Sequence, residues 1–152
     1  MGKSDRGDVH ITKPTAKIGE LLKIRNGTSD SDIAFVATGS MARTAQKIAQ
    51  NYFPQTSVWS VPFIKPVNVQ QVIQLCQENK TLVVFEEHSI LAGLGSLIAE
   101  IAAEFSPTKV LRIGTNDRFS HFCGTYEYLL KEHELDETSI TRKLHSYLAN
   151  SQ

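Results

Sequence analysis

The chain has little cysteine. Its two thiols, Cys76 and Cys123, stand far apart and form no CxxC pair. This argues against a disulfide framework and predicts a reducing, cytoplasmic setting. Surplus charge is also missing: 16 basic residues balance 16 acidic ones. A neutral chain lacks the excess of Lys and Arg with which nucleic-acid binders neutralise phosphates, so no nucleic-acid partner is expected. No apolar run approaches the length of a membrane span, so no membrane partner is expected either. The opening "MGKSDRGD" has no apolar signal core, and Arg6 stands where a lipidation motif has Ser or Thr. The histidines (His10, His88, His121, His133 and His145) fall into neither HxxxH nor HExxH spacing, which makes zinc an improbable ligand. Neither GxSxG nor GxxxxGK[ST] occurs, so there is no nucleophile elbow and no P-loop.

What remains is an ordinary globular composition, 41% hydrophobic over 152 residues. That predicts one domain with a core large enough to need neither disulfides nor metals. Residues 1–17 are polar and carry Pro14, and are expected to be a flexible lead-in or linker remnant before a domain over 18–150. "LLKIR" (Leu21–Arg25) reads as an edge strand closed by Asn26-Gly27. "IAFVA" (Ile33–Ala37) is apolar without alternation, as in a strand buried on both faces. After "TGS", apolar residues at Ala42, Ala45, Ile48, Ala49, Tyr52 and Phe53 mark a helical face that Pro54 ends. "SVWSV" (Ser57–Val61) is the next strand. Asn68 is a helix cap for a segment whose Val69, Val72, Ile73 and Cys76 share one stripe, which makes Cys76 a packing residue. "TLVVFEE" (Thr81–Glu87) is a strand, and Leu94, Leu97, Ile98, Ile101, Ala102 and Phe105 form a helical stripe. "KVLRIG" (Lys109–Gly114) is a strand, and "TYEYLLKEH" and "DETSITRKLHSYL" read as two short helices. This alternation predicts a mainly parallel sheet with helices on both sides.

The chemistry concentrates in "VVFEEHSILAGLGSLIAE" (Val83–Glu100), where a strand turns into a helix. Gly93 and Gly95 lie where a dinucleotide-binding turn would, backing a Rossmann-type reading in which helix amides face a phosphate and NAD is the test ligand. Against it, Ile98 fills the third glycine position and five residues separate the strand from Gly93. Glu86, Glu87 and His88 sit at the C-terminal edge of a parallel sheet, where open α/β folds place ligands. Strand alternation puts Glu87 on the face opposite Glu86 and His88. A carboxylate beside an imidazole suits acid–base work, and an independent catalytic domain would draw on Glu87, His88 and Cys123. His121 precedes Cys123 by two residues, but packing or a surface turn explains "HFCG" without a third orienting group. The structural alternative is that these charges cap helices or meet a neighbour, with the glycines allowing close packing.

Taken together, four segments resemble one family. "VVFEEHSILAGLGSLIAE" is similar to the hallmark of the transketolase C-terminal domain, an EEH followed by GGLGS, with Ala92 in place of the first glycine. "IAFVATGSMARTAQKIAQ" resembles that family's strand, TGS turn and Ala-rich helix, and "VWSVPFIKPVNVQQVIQLCQENKTLVVFEEH" its strand, KP loop and helix. "RIGTNDRFSHFCGTYEYLLKEHELDETSITRKL" is similar to its closing region, here with Asp117, Phe119, Gly124, Leu129 and Leu130. The match runs from about residue 18 to residue 148.

The resemblance implies a three-layer α/β/α domain with a five-stranded mixed, mainly parallel sheet, "LLKIR" being the candidate antiparallel strand. It implies a parent that uses thiamine diphosphate and Mg²⁺, such as transketolase, 1-deoxyxylulose-5-phosphate synthase or a 2-oxo acid dehydrogenase beta subunit. In that family a diphosphate domain and a pyrimidine domain hold the cofactor, and this sequence has no GDG…N metal motif. The chain is therefore expected to bind no cofactor or metal and to be inactive alone, as a fragment or separately expressed domain. Partnership with those two domains and a homodimer are expected. Glu86, Glu87, His88, Gly93 and Gly95 are implied to be interface or loop-shaping residues, with no catalytic residue assigned beyond the candidates Glu87 and His88.

Overall fold

The computed structural model describes residues 8–10 and 12–150. Ten elements follow in chain order: β1 (Leu22–Arg25), β2 (Ile33–Ala37), α1 (Met41–Tyr52), β3 (Ser57–Ser60), α2 (Val69–Glu78), β4 (Thr81–Ser89), α3 (Leu94–Phe105), β5 (Lys109–Thr115), α4 (Tyr126–Glu132) and α5 (Glu137–Ala149). The strands form one five-stranded sheet in the order β1-β3-β2-β4-β5. β1 is antiparallel to β3, and every other pairing is parallel. This is the mixed, mainly parallel sheet expected, with "LLKIR" supplying the antiparallel edge.

The central strands β2 and β4 owe their place to composition. Ala34–Ala37 and Thr81–Glu86 are buried on both faces, as unalternating apolar strands must be. Each face of the sheet carries its own core. On one side Phe35 and Phe85, with ring centroids 5.0 Å apart, pack with Met41, Ile48 and, from α5, Ile140 and Leu144. On the other, Val36, Leu82 and Val84 meet Val72 and Leu75 of α2 and Leu94 and Ile98 of α3. The result is three layers, with α1, α2, α3 and α5 each burying one stripe.

Caps mark the helix starts. Asn68 accepts a hydrogen bond from the Gln71 amide (3.1 Å) at α2, and Asp136 accepts one from the Ser139 amide (3.2 Å) at α5. Two residues of the expected stripes are exposed, Tyr52 at 48% and Phe105 at 57%. Each is the last residue of its helix, where the chain leaves the sheet. The strand expected over Thr81–Glu87 runs on to Ser89, with a register irregularity between Phe85 and Ser89.

Of the expected lead-in, residues 1–7 and residue 11 lie outside the described residues. Val9 packs against the α1–α5 core, and its carbonyl accepts from Gln46 Nε2 at 3.3 Å. Among the described residues, no helix is long and apolar enough to cross a membrane.

Candidate functional site

The C-terminal ends of β2, β4 and β5 form one edge of the sheet, where the turns into α1 and α3 begin. The Thr38 amide donates to the Phe85 carbonyl (3.1 Å) and its hydroxyl to the Val61 carbonyl (3.0 Å), tying the "TGS" turn to strands on both sides. Gly39 adopts a left-handed φ of 58°, open to glycine at little cost, and the chain then enters α1 at Ser40.

Glu86 is the centre of this edge. It is 1% exposed. Its carboxylate accepts from the Leu94 amide at 2.8 Å and from the Gly95 amide at 3.0 Å, one oxygen to each. These are free N–H groups of the first turn of α3, where the helix dipole also favours negative charge. Strand alternation explains the direction: Val84 and Glu86 share the α3 face of β4.

The glycines make room for that carboxylate. A Cβ at Gly93 would fall on Glu86 Oε2. One at Gly95 would meet the Arg112 stem at 2.8 Å and Glu86 Oε1 at 2.9 Å. One at Gly114 on β5 would meet the His88 carbonyl at 2.8 Å and Glu86 Cγ at 3.1 Å. Three glycines from two segments thus form a socket around one buried side chain. Arg112 covers it from β5, donating to the Ile90 carbonyl at 2.8 Å and approaching Ser96 Oγ at 3.3 Å.

Glu87 points the other way and accepts from the Ser40 hydroxyl at the start of α1. Neighbouring carboxylates on one strand therefore serve helix starts on opposite faces of the sheet. His88 is exposed. Its carbonyl, not its ring, approaches the Gly114 backbone. His121 and Cys123 are exposed in the segment after β5, where the His121 amide donates to Glu132 Oε1 at 2.5 Å. Cys76 is buried in the α2–α3 core. Burial pushes its thiol up by more than the Thr108 hydrogen bond lowers it.

The structure corrects the Rossmann-type reading of Gly93 and Gly95. The amides that would hold a nucleotide phosphate are taken by Glu86, and a phosphate there would meet a buried carboxylate. The five-residue separation of strand from Gly93 is itself revised, since β4 reaches Ser89, so the occupied amides alone decide against a nucleotide turn. Ser40, Arg112 and Gly114 went unnoticed in the sequence reading. The signal available for Gly114 was a glycine near the end of a strand, and its place beside Glu86 comes from the pairing of β4 with β5.

Thiamine diphosphate with Mg²⁺ does not fit these residues. The amides at the start of α3 are taken by Glu86, and Glu87 lies against Ser40 at the start of α1, so a diphosphate at either helix start would meet a carboxylate of the chain itself. Among the described residues, no three His, Cys, Asp or Glu side chains group as metal ligands.

The model of the transketolase C-terminal domain family matches residues 22–140. Similar curated proteins include the 1-deoxy-D-xylulose-5-phosphate synthase of Cupriavidus necator, 35% identical over 133 residues, covering 86% of this chain and 20% of that protein. The synthase of the same name from Dechloromonas aromatica is 33% identical over 146 residues, covering 93% and 23%. Among solved structures, a split gene transketolase described as an inactive beta4 tetramer superposes with a TM-score of 0.83 at 25% identity. That likeness covers 94% of this chain and 46% of the other. The chain belongs to the transketolase C-terminal domain family. It spans about a fifth of the length of the curated relatives it matches.

Proposed function

We propose that the chain acts as the C-terminal domain of a transketolase-like enzyme that uses thiamine diphosphate and Mg²⁺ held by other domains. Its work is subunit contact and dimerisation, and it is not catalytic alone. The parent chemistry is transfer of a two-carbon ketol unit or the closely related 1-deoxy-D-xylulose-5-phosphate synthase reaction. The names of the curated relatives favour the latter. Glu86, Glu87, His88, Gly93 and Gly95 shape the edge that meets the rest of that enzyme.

The observation that carries this reading is the filled socket. Glu86 closes the α3 start with its own carboxylate. The most conspicuous motif of the chain is thereby spent on holding a loop and a helix in place, which suits an assembly element and not a ligand site.

A thermal-unfolding series tests it. The chain is melted alone, with thiamine diphosphate and Mg²⁺, and with NAD, because a ligand that binds the folded state raises the midpoint. No shift with either is expected. A rise with thiamine diphosphate would place part of the cofactor site in this chain and overturn the reading. A rise with NAD would restore the nucleotide hypothesis. Sedimentation equilibrium tests the homodimer, and a strictly monomeric chain at high concentration would remove that part.

A further inference from the structure

The segment between β5 and α4 is built as a pinned loop that carries aromatic side chains outward. Every residue from Asn116 to Thr125 is exposed. Phe119 is 98% exposed and Phe122 71%. The residues between and beside them are tied down at the C-terminal end of α4. Arg118 donates to the Glu132 carbonyl, Ser120 Oγ lies 2.8 Å from His133 Nε2, and the His121 amide donates to Glu132 Oε1. Thr125 then caps α4 by accepting from the Tyr128 amide at 3.2 Å. Anchors at Arg118, Ser120 and His121 flank Phe119 and precede Phe122, so the loop is held while both rings stay exposed.

Leaving two phenyl rings in water forgoes roughly 2 kcal/mol of burial each. A pair of exposed rings on a fixed loop has the character of interface anchors. The loop also adjoins the edge described above, since the Ile90 amide donates to the Thr115 carbonyl at 2.9 Å. Leu91, next to Ile90 in the turn between β4 and α3, is 55% exposed.

We infer that Phe119 and Phe122 are the anchors by which this domain docks onto the rest of the longer transketolase-type protein, entering an apolar cleft there. The inference rests on the assembly reading above and adds the surface and the residues. The occupant follows from length. In the curated relatives the matching segment is about a fifth of the chain, so some four-fifths of the polypeptide is available to cover this loop.

The test titrates the full chain against the Cupriavidus necator synthase from which the matching segment has been deleted, its folding checked by circular dichroism. Sedimentation velocity reads the complex. The wild-type chain is expected to bind, and F119S/F122S to bind at least about tenfold more weakly per ring lost. The isolated variant should keep the wild-type unfolding midpoint, because both rings are already in water. Equal binding by the variant would overturn the docking role and leave the assembly reading standing. No binding by the wild-type chain to a folded partner would remove both. Self-association of the chain alone, abolished by the same substitutions, would make a second copy the occupant and overturn the inference. Should the deleted synthase fail to fold, a chimera carrying this chain in place of the matching segment serves. F119S/F122S should lower the chimera's midpoint and not that of the isolated chain. An unchanged chimera midpoint would overturn the proposal.

Discussion

The Glu86 carboxylate occupies the space that a side chain at Gly93 would need. This one relationship explains why an acidic residue, 1% exposed, is tolerated in the core, and why a glycine opens the turn into α3. The carboxylate has no room to move and both its oxygens are spent on helix amides. A buried charge is tolerated when it is hydrogen-bonded in this way.

Gly93→Ala should therefore destabilise the domain by roughly 2–4 kcal/mol, the scale for displacing a buried, hydrogen-bonded charge. Urea unfolding measures it. In a Glu86→Ala background the same substitution should be milder by more than about 1 kcal/mol, since the colliding group is gone. Additive effects would mean that the socket does not couple these positions.

Ala92 offers the opposite test. It stands where the family's hallmark has its first glycine, and its φ of 59° lies in the left-handed region. A Cβ there costs roughly 1–2 kcal/mol, while a glycine loses more entropy on folding. Ala92→Gly is expected to be stabilising by up to about 1 kcal/mol, visible as a raised thermal midpoint. A clear loss of stability would show that the Ala92 methyl has a packing role that outweighs the strain.

Asp136 ties stability to pH. Burial pushes its carboxyl up, but hydrogen bonds from the Ser139 hydroxyl and amide, with those of its own and the Thr138 amides, outweigh burial and hold the group below its usual value. A carboxylate lowered in the folded state contributes stability above its unfolded pKa, about 3.9, and loses it as pH falls through the folded value. Asp136→Ala should cost about 1 kcal/mol at pH 7, the usual worth of a helix cap. The difference between parent and variant should shrink below about pH 3.9, as read from denaturant unfolding across pH. A pH-independent difference would assign the loss to packing instead of charge.

The two cysteines should differ in reactivity. Cys123 is exposed, whereas Cys76 is buried with its thiol held protonated by desolvation. Iodoacetamide at neutral pH should modify Cys123 first, and Cys76 only as the chain unfolds. Mass spectrometry after timed labelling reads both sites. Equal rates would show that the α2–α3 core opens under native conditions.

Much of this molecule follows from local rules that need no neighbours. The apolar runs of Ile33–Ala37 and Thr81–Phe85 demanded strands, the first of them buried on both faces. The stripes of α1, α2 and α3 demanded helices packed on a sheet, and Asn68 marked a cap. Alternation along β4 already separated Glu87 from Glu86. Distances between remote segments are not written along the chain. The socket is assembled from β4, the turn into α3 and β5, whose residues are some thirty positions apart, so Gly114 and Arg112 acquire meaning only once β5 lies beside β4. The extension of β4 to Ser89 depends on pairing with Thr115 across a register irregularity that no single strand announces. The exposure of Phe119 and Phe122 was likewise invisible, because an aromatic residue in a sequence carries the same hydrophobicity whether it is packed inward or held out. By itself the sequence carried the motifs that resemble the family and the alternation of strands and helices, since both are written along the chain, whereas the order of the strands in the sheet came from their packing. Which charges are buried, which glycines are irreplaceable and which rings face water was decided by tertiary structure, since only packing brings distant atoms within contact.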